Sequence, residues 1–128
     1  SKNQHCYSAQ CHATAQSIIQ KMQLDEKQCS IAFQSRLGKD EWLKPYVSDT
    51  LKGLAERGKK RILVFSPSFV SDCVETLYEI KVEYQKEFEE LGGQQIDLVP
   101  SLNDHPLWID ALEELIKEKI NLTYELVY

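Results

Sequence analysis

A series of acidic side chains is the feature of this sequence with the clearest chemical potential. Asp72, Glu75 and Glu79 follow one another at spacings of three and four residues, and Glu83 continues the series. Residues at these spacings are neighbours on one face of a helix, where like charges cost about 0.2–0.5 kcal/mol per exposed pair. Such carboxylates could hold a cation or accept protons in turn. The alternative is a solvated helix face, and that interpretation is favoured for Glu83.

The acids follow a segment that predicts a strand. Arg61–Phe65 is apolar at nearly every position, a pattern typical of a strand covered on both faces. A short loop with Phe69 comes next, and a helix from Asp72 to Leu91 carries the acids, with Leu77 expected in the core. Ligands of α/β proteins bind beyond the carboxyl ends of the strands. The acids and Cys73 would therefore lie where a ligand is expected, with Phe69 either in the core or in a cleft wall.

A second loop, residues 35–45, also follows a predicted strand. It contains Arg36, Trp42 and two lysines, Lys39 and Lys44. A tryptophan among basic residues suits a flat, anionic, aromatic ligand. Composition alone favours the plainer interpretation, in which Trp42 packs against the base of the loop and Arg36 caps or bridges.

The four cysteines do not form the spacing pattern of a disulfide framework. Cys6 and Cys11 stand beside His5 and His12, and all four are ligand types for zinc or an iron–sulfur cluster. Their spacing is not that of a zinc knuckle, so incidental thiols near the chain start are the favoured interpretation. Cys29 is expected to be a small buried hydrophobic residue.

Length, composition and charge restrict the class of protein. A chain of 128 residues with 42% hydrophobic and 27% charged residues is typical of one soluble globular domain. The net charge of −5 disfavours a nucleic-acid surface, which needs clustered Lys and Arg. No apolar run approaches the roughly 20 residues of a membrane span, and no signal peptide is visible. These features predict a reduced, cytoplasmic protein.

Periodicity predicts alternating helices and strands, with Asp104 as a candidate cap of the last helix. Alternation with short loops favours an α/β fold with a parallel sheet. Three strands make a thin sheet, so strands from elsewhere are expected to complete it. The predicted order is helix Ala9–Met22, strand Cys29–Gln34, helix Val47–Arg57, strand Arg61–Phe65, helix Asp72–Leu91, strand Ile96–Val99 and helix Pro106–Lys119.

Three blocks of sequence resemble the ferrochelatases, which insert ferrous iron into a porphyrin. Residues 33–38 read FQSRLG and are followed by Trp42-Leu43 and Pro45, which is similar to the family's glutamine-serine-basic, tryptophan-leucine loop. Residues 69–72 with 75–79 read FVSD and ETLYE, and look like the family's iron-site helix. Ser101-Leu102-Asn103 before Pro106 resembles the turn preceding its last helix. The resemblance runs from about Tyr7 to Ile116.

The resemblance implies a three-layer α-β-α half-domain with a small parallel sheet, the C-terminal half of a two-domain enzyme. Glu75 would be the metal-site carboxylate, as ligand or as acceptor of pyrrole protons, with Asp72 and Glu79 continuing a polar path. In the family this helix carries a π-type turn. Trp42 and Phe69 match positions that line the porphyrin cleft, and Arg36 stands in the basic loop beside them. Ferrous iron is then a substrate, and the N-terminal half is the missing partner.

Three departures from the family pattern bear on the site. The family's histidine opposite the glutamate would lie upstream of Ser1. Position 73, often histidine, is Cys73, and position 81, often acidic, is Lys81. Some relatives hold an iron–sulfur cluster, of which Cys6 and Cys11 could supply half the ligands. Peripheral membrane contact is a further expectation. The rival functions are a cobalt or nickel chelatase of another tetrapyrrole, and a tetrapyrrole- or metal-binding module without chemistry.

Overall fold

The computed structural model describes residues 6–34 and 42–120. Four α-helices, one short 3₁₀ helix (Glu26–Gln28), one π-helical segment and a parallel two-stranded sheet make up the regular structure of this part, which confirms the α/β class. None of its helices has the length and hydrophobicity that crossing a membrane requires. The elements are α1 (Tyr7–Lys21), α2 (Val47–Glu56), β1 (Arg61–Val64), a π-helical segment (Glu75–Tyr84), α3 (Gln85–Glu90), β2 (Gln95–Leu98) and α4 (Pro106–Lys117).

The core lies on one face of the sheet. Leu51 of α2, Ile80 of the π-helical segment, Phe88 of α3 and Ile96 of β2 form its buried centre. Ile62 and Val64 of β1 pack against it, because Ile62 pairs with Ile96 and Val64 with Leu98 in the parallel register. Alternate side chains of a strand point to opposite faces, so one set of β1 residues closes the core.

The prediction that β1 is covered on both faces is wrong for the described residues. Leu63 points away from the core and is 70% exposed, and Phe65, just beyond the strand, is 42% exposed. The apolar run therefore indicates a second partner layer that the described residues do not supply. Arg61 and Asp97 form an ion pair on this outer face at 3.3 Å, although both side chains are well exposed. Such pairs contribute little to stability.

In place of the predicted strand Cys29–Gln34, the structure has a single isolated β-bridge. Phe33 pairs in parallel with Tyr46, its N–H donating to the Pro45 carbonyl at 2.8 Å and its carbonyl accepting from the Val47 N–H at 3.2 Å. A strand needs a neighbour along its whole length, and the described residues offer this segment only the short stretch that opens α2. The phenylalanine itself is buried, so this point of the chain is firmly anchored.

Helix ends follow the sequence signals with one correction. α2 is followed by Gly58 and α3 by Gly92, both with positive φ, the conformation in which glycine commonly ends helices. At α4 the cap is His105, whose Nδ1 accepts the Leu107 N–H at 3.3 Å. Asp104, the predicted cap, stands one residue too early for that bond.

Candidate active site

The loop after β1 and the loop after β2 meet at one edge of the sheet. The Asp72 N–H donates to Asn103 Oδ1, and Asn103 Nδ2 donates back to Asp72 Oδ2, both at 2.9 Å. The Ser101 N–H donates to the second carboxylate oxygen of Asp72 at 3.2 Å. The loop preceding the acid-bearing helix is thus fastened to the loop preceding α4, as expected at the carboxyl edge of a parallel sheet.

Asp72 is consequently engaged within the protein. The Asn103 amide first, then the Ser101 N–H, hold the pKa of Asp72 below its ordinary value, against a smaller opposing effect of burial. The buried Thr76 hydroxyl lies 3.3 Å from the same carboxylate. Each oxygen of Asp72 already accepts a hydrogen bond, which makes it a junction between loops. Its predicted role as a metal ligand stays a prediction.

We expect the contribution of this junction to stability to depend on pH. Because folding lowers the pKa of Asp72, its contribution is present above the unfolded value of 3.8 and is lost as the pH falls through the folded pKa. Asn103 has a φ of 49°, which glycine adopts without strain. Asn103→Gly therefore removes the amide without straining the backbone. We expect it to lower the urea midpoint more at pH 6 than at pH 3, where the pH-independent bond from the Asp72 N–H to the amide oxygen is still lost.

The matched background for that measurement is Asp72→Asn, in which no carboxylate is left to titrate. In this background the effect of Asn103→Gly should be the same at the two pH values. A difference between pH 6 and pH 3 that persists once the Asp72 carboxylate has been removed would show that another group is responsible.

The helix carrying Glu75 is π-helical from its first residue to Tyr84, in agreement with the π-type turn that the resemblance implied. A π-helix bonds each residue to the fifth along, and its widened turns are frequent at functional sites. Thr76 and Ile80 face the core here, 1% and 2% exposed. Leu77 is 47% exposed, so the prediction that it belongs to the core is wrong. Its neighbour Thr76 faces the core instead.

Glu75 has a half-exposed side chain. The Cys73 side chain donates a hydrogen bond to its carboxylate, and this bond, followed by that of Glu75's own backbone N–H, lowers the pKa of Glu75. The group is therefore a carboxylate at neutral pH, able to accept a proton or a cation. Val74 directly precedes it and Tyr78 lies three residues beyond it, and both are large hydrophobic side chains left exposed.

Glu79 is joined to Glu75 through Gln34. The Gln34 Nε2 donates to the backbone carbonyl of Glu75 at 3.1 Å and to Glu79 Oε2 at 3.0 Å. The structure thus brings together the end of the Phe33 segment and two acids predicted from a different part of the chain. Glu83, for which solvation was favoured, is exposed. Glu79, together with Glu87 and Glu83, adds to the effect of burial in raising the pKa of Tyr84.

The predicted ring-binding residues are placed only in part. Trp42 is 40% exposed, and Phe69 is half-buried in the turn that its N–H closes onto the Ser66 carbonyl. No hydrogen bond or ring contact within the described residues joins either side chain to Glu75. Arg36 lies outside the described residues.

The two candidate cluster cysteines lie at the start of α1. Cys6 is the residue before the helix and Cys11 is five residues on, both as free thiols. Within residues 6–34 and 42–120, no three His, Cys, Asp or Glu side chains are grouped to hold a metal ion. The described residues therefore do not fit a complete iron–sulfur site, which needs four ligands.

Sequence reasoning missed the parts played by Gln34, Asn103 and His105. Gln34 and Asn103 belong to the blocks that carry the resemblance, but their side-chain partners are 45 and 31 residues away along the chain. The one available signal was position, since Gln34 is the last residue of one predicted strand and Asn103 lies in the loop after another. His105 could have been found as a residue directly before a proline that begins a helix.

These features define an α/β domain with carboxylate side chains on a π-helical segment at the carboxyl edge of its sheet. Comparison with known proteins agrees: the sequence model of the family described as Ferrochelatase matches residues 1–120. The chain belongs to the ferrochelatase family.

Three relatives illustrate the similarity. Ferrochelatase of Legionella pneumophila (strain Corby) is 47% identical over 119 residues, 93% of this chain and 36% of the relative. Ferrochelatase of Coxiella burnetii (strain Dugway 5J108-111) is 43% identical over 122 residues, 95% of this chain and 34% of the relative. Ferrochelatase of Azotobacter vinelandii is 48% identical over 112 residues, 88% and 33% respectively. The chain spans about a third of the length of these curated relatives.

Proposed function

We propose that this chain is the C-terminal half of a ferrochelatase, and that the whole enzyme inserts ferrous iron into protoporphyrin or coproporphyrin in haem biosynthesis. The observation that carries the proposal is Glu75: an ionised carboxylate at the start of a π-helical segment, within a chain matched by the family over residues 1–120. Its position agrees with the ligand-binding edge of an α/β sheet.

Insertion exchanges two protons for one metal ion. Ferrous iron loses its water ligands and binds the four ring nitrogens, while the two pyrrole N–H groups release their protons. Glu75 can hold the incoming ion or receive these protons, because it is a carboxylate at neutral pH, and its lowered pKa favours the charged, cation-binding form. Glu79 offers the next carboxylate along the helix, so metal and protons can use the same path in opposite directions.

The porphyrin would meet the aromatic and basic residues of the two loops. Trp42 and Phe69 would contact the flat ring, and Arg36 would attract its carboxylate groups. Exposed apolar side chains near Glu75, such as Tyr78 and Val74, extend the apolar surface available to a ring.

The other half of the enzyme would cover the apolar surfaces that this chain leaves open. Leu63 on the outer face of the sheet and Leu107 and Leu115 on α4 are large hydrophobic residues left exposed. The upstream half would also carry the histidine facing Glu75. Cys6 and Cys11 would be two of four cluster ligands if this member holds an iron–sulfur cluster. We place the enzyme in the cytoplasm, with peripheral membrane contact where its substrate is delivered.

The full-length protein tests the proposal directly. Anaerobic incubation with ferrous iron and either porphyrin should yield the corresponding haem, identified by absorbance and mass. Parallel reactions with cobalt and nickel ions, and with other tetrapyrroles, separate this enzyme from a chelatase of different specificity. Tight porphyrin binding without product from any metal would favour a carrier or sensor and would contradict the proposal.

A further expectation concerns the 128-residue chain by itself. Without an opposing wall and histidine, we expect weak porphyrin binding and no insertion at a useful rate. The comparison is turnover per mole of the short chain against that of the full-length enzyme under identical conditions. Equal turnover would show that this half contains the whole catalytic apparatus.

A further inference from the structure

The side chain of Gln34 starts from an anchored stretch of backbone. It directly follows Phe33, which is buried and hydrogen-bonded on both sides to the segment that opens α2. The next residues, 35–41, belong to the loop with Arg36. Along the chain, Gln34 directly precedes the loop predicted to meet the porphyrin, and its side chain contacts the helix predicted to handle the metal.

Both hydrogen atoms of the Gln34 amide have an acceptor on that helix. One is the main-chain oxygen of Glu75, at 3.1 Å, and the other is the Oε2 of Glu79, at 3.0 Å. The main-chain oxygen of Glu75 carries no hydrogen, so only the NH₂ side of the amide can face it. This orientation joins Glu79 to the backbone at Glu75 through a single partly buried nitrogen.

The chemistry of the amide matters for a metal-binding carboxylate. A lysine or arginine in this place would also donate, but its charge would compete with an arriving cation. A neutral amide fixes one oxygen of Glu79 without placing a positive charge beside it. Neither of the two hydrogen bonds that the Gln34 side chain forms involves the other carboxylate oxygen of Glu79.

We propose that Gln34 is a positioning residue, which holds the Glu79 carboxylate at a set place relative to Glu75 so that the two acids act on one metal ion in succession. The inference rests on the proposed function and adds a residue to it. Gln34 acts through Glu79 and does not touch the reacting atoms. Groups that orient a metal-binding side chain typically change metal affinity by roughly 10- to 100-fold when they are removed.

The test is Gln34→Met in the full-length enzyme, since methionine has a similar length and no N–H group. We expect the KM for ferrous iron to rise about tenfold, with the KM for porphyrin within about twofold of wild type. The matched control is Gln16→Met. Gln16 also donates to a glutamate, Glu26, at 2.7 Å, but that pair is exposed and involves α1 rather than the acid-bearing helix; it should behave as wild type.

A second background separates positioning from a general structural role. In Glu79→Gln the charge is already absent, so adding Gln34→Met should raise the KM for iron no further. An equal additional loss in that background, or a parallel rise in both KM values, would overturn the inference while leaving the proposed function in place.

Metal binding gives a readout that does not depend on turnover. Calorimetric titration of the porphyrin-free enzyme with cobalt(II), as an oxidation-resistant stand-in for ferrous iron, should show about tenfold weaker binding for Gln34→Met than for wild type. Wild-type protein that binds cobalt but makes no haem would contradict the proposed function alone. If Glu79→Gln bound cobalt more weakly than wild type and Gln34→Met bound it with unchanged affinity, the inference alone would be contradicted.

Discussion

Glu75→Gln in the full-length enzyme is expected to lower the rate of iron insertion by about 10²–10⁴-fold, the usual contribution of a positioned proton acceptor. Glutamine keeps the size of the side chain but cannot take a proton or balance the charge of the metal ion. Porphyrin binding should be largely retained, because the ring is expected to rest on the aromatic residues of the two loops. Insertion rates and porphyrin fluorescence quenching measure the two properties separately.

Glu83→Gln is the matched control for that substitution. Glu83 lies on the same π-helical segment and is exposed, so its loss should leave the insertion rate within about twofold of wild type. Near-normal insertion by Glu75→Gln would remove this carboxylate from the mechanism. Equal losses from both substitutions would indicate a general effect of helix charge.

The second large effect is expected from Gly93→Ala. A Cβ at this position would meet the ring of Phe88, which is completely buried in the core. The ring cannot move aside without disturbing the packing of α3, and overpacking of a core typically costs about 1–3 kcal/mol. We expect the free energy of unfolding to fall by this amount, measured by urea denaturation of the full-length protein.

Gly53→Ala provides a contrast from the same chain. Gly53 lies inside α2, where an added Cβ would meet only the flexible end of Arg57, at 3.9 Å. Alanine in a helix interior is favoured over glycine by about 0.5–1 kcal/mol, so this variant should be slightly more stable. Combining Gly93→Ala with Phe88→Leu should cost less than the two changes summed. Strict additivity would show that the ring is not the obstacle.

Local sequence signals predicted the helices well and the strands less well. α1, α2 and α4 begin and end within a few residues of the predicted limits, because apolar spacing, glycines and Pro106 act within one or two turns. The segment 29–34 has the composition of a strand, yet it forms a single bridge. Strand formation depends on a neighbour, and composition cannot say whether a neighbour is present.

The acids of the candidate site were predictable because their spacing is local. The hydrogen-bond partners of these acids were not predictable, since the partners belong to other elements of the structure. Asp72 is bound by Asn103 and Ser101, whereas Glu79 is bound by Gln34, and no periodicity in the chain relates these positions. The comparison with relatives identifies the family, but it does not assign these contacts either.

The order of residues determined the α/β class, the family, and the placement of a carboxylate-rich helix directly after an apolar strand, because each of these depends on neighbours along the chain. Tertiary structure decided which acid is a junction between loops and which is held by a neutral amide. A side chain's pKa and direction are set by the groups that folding brings within about 3 Å of it, and those groups come from distant parts of the sequence.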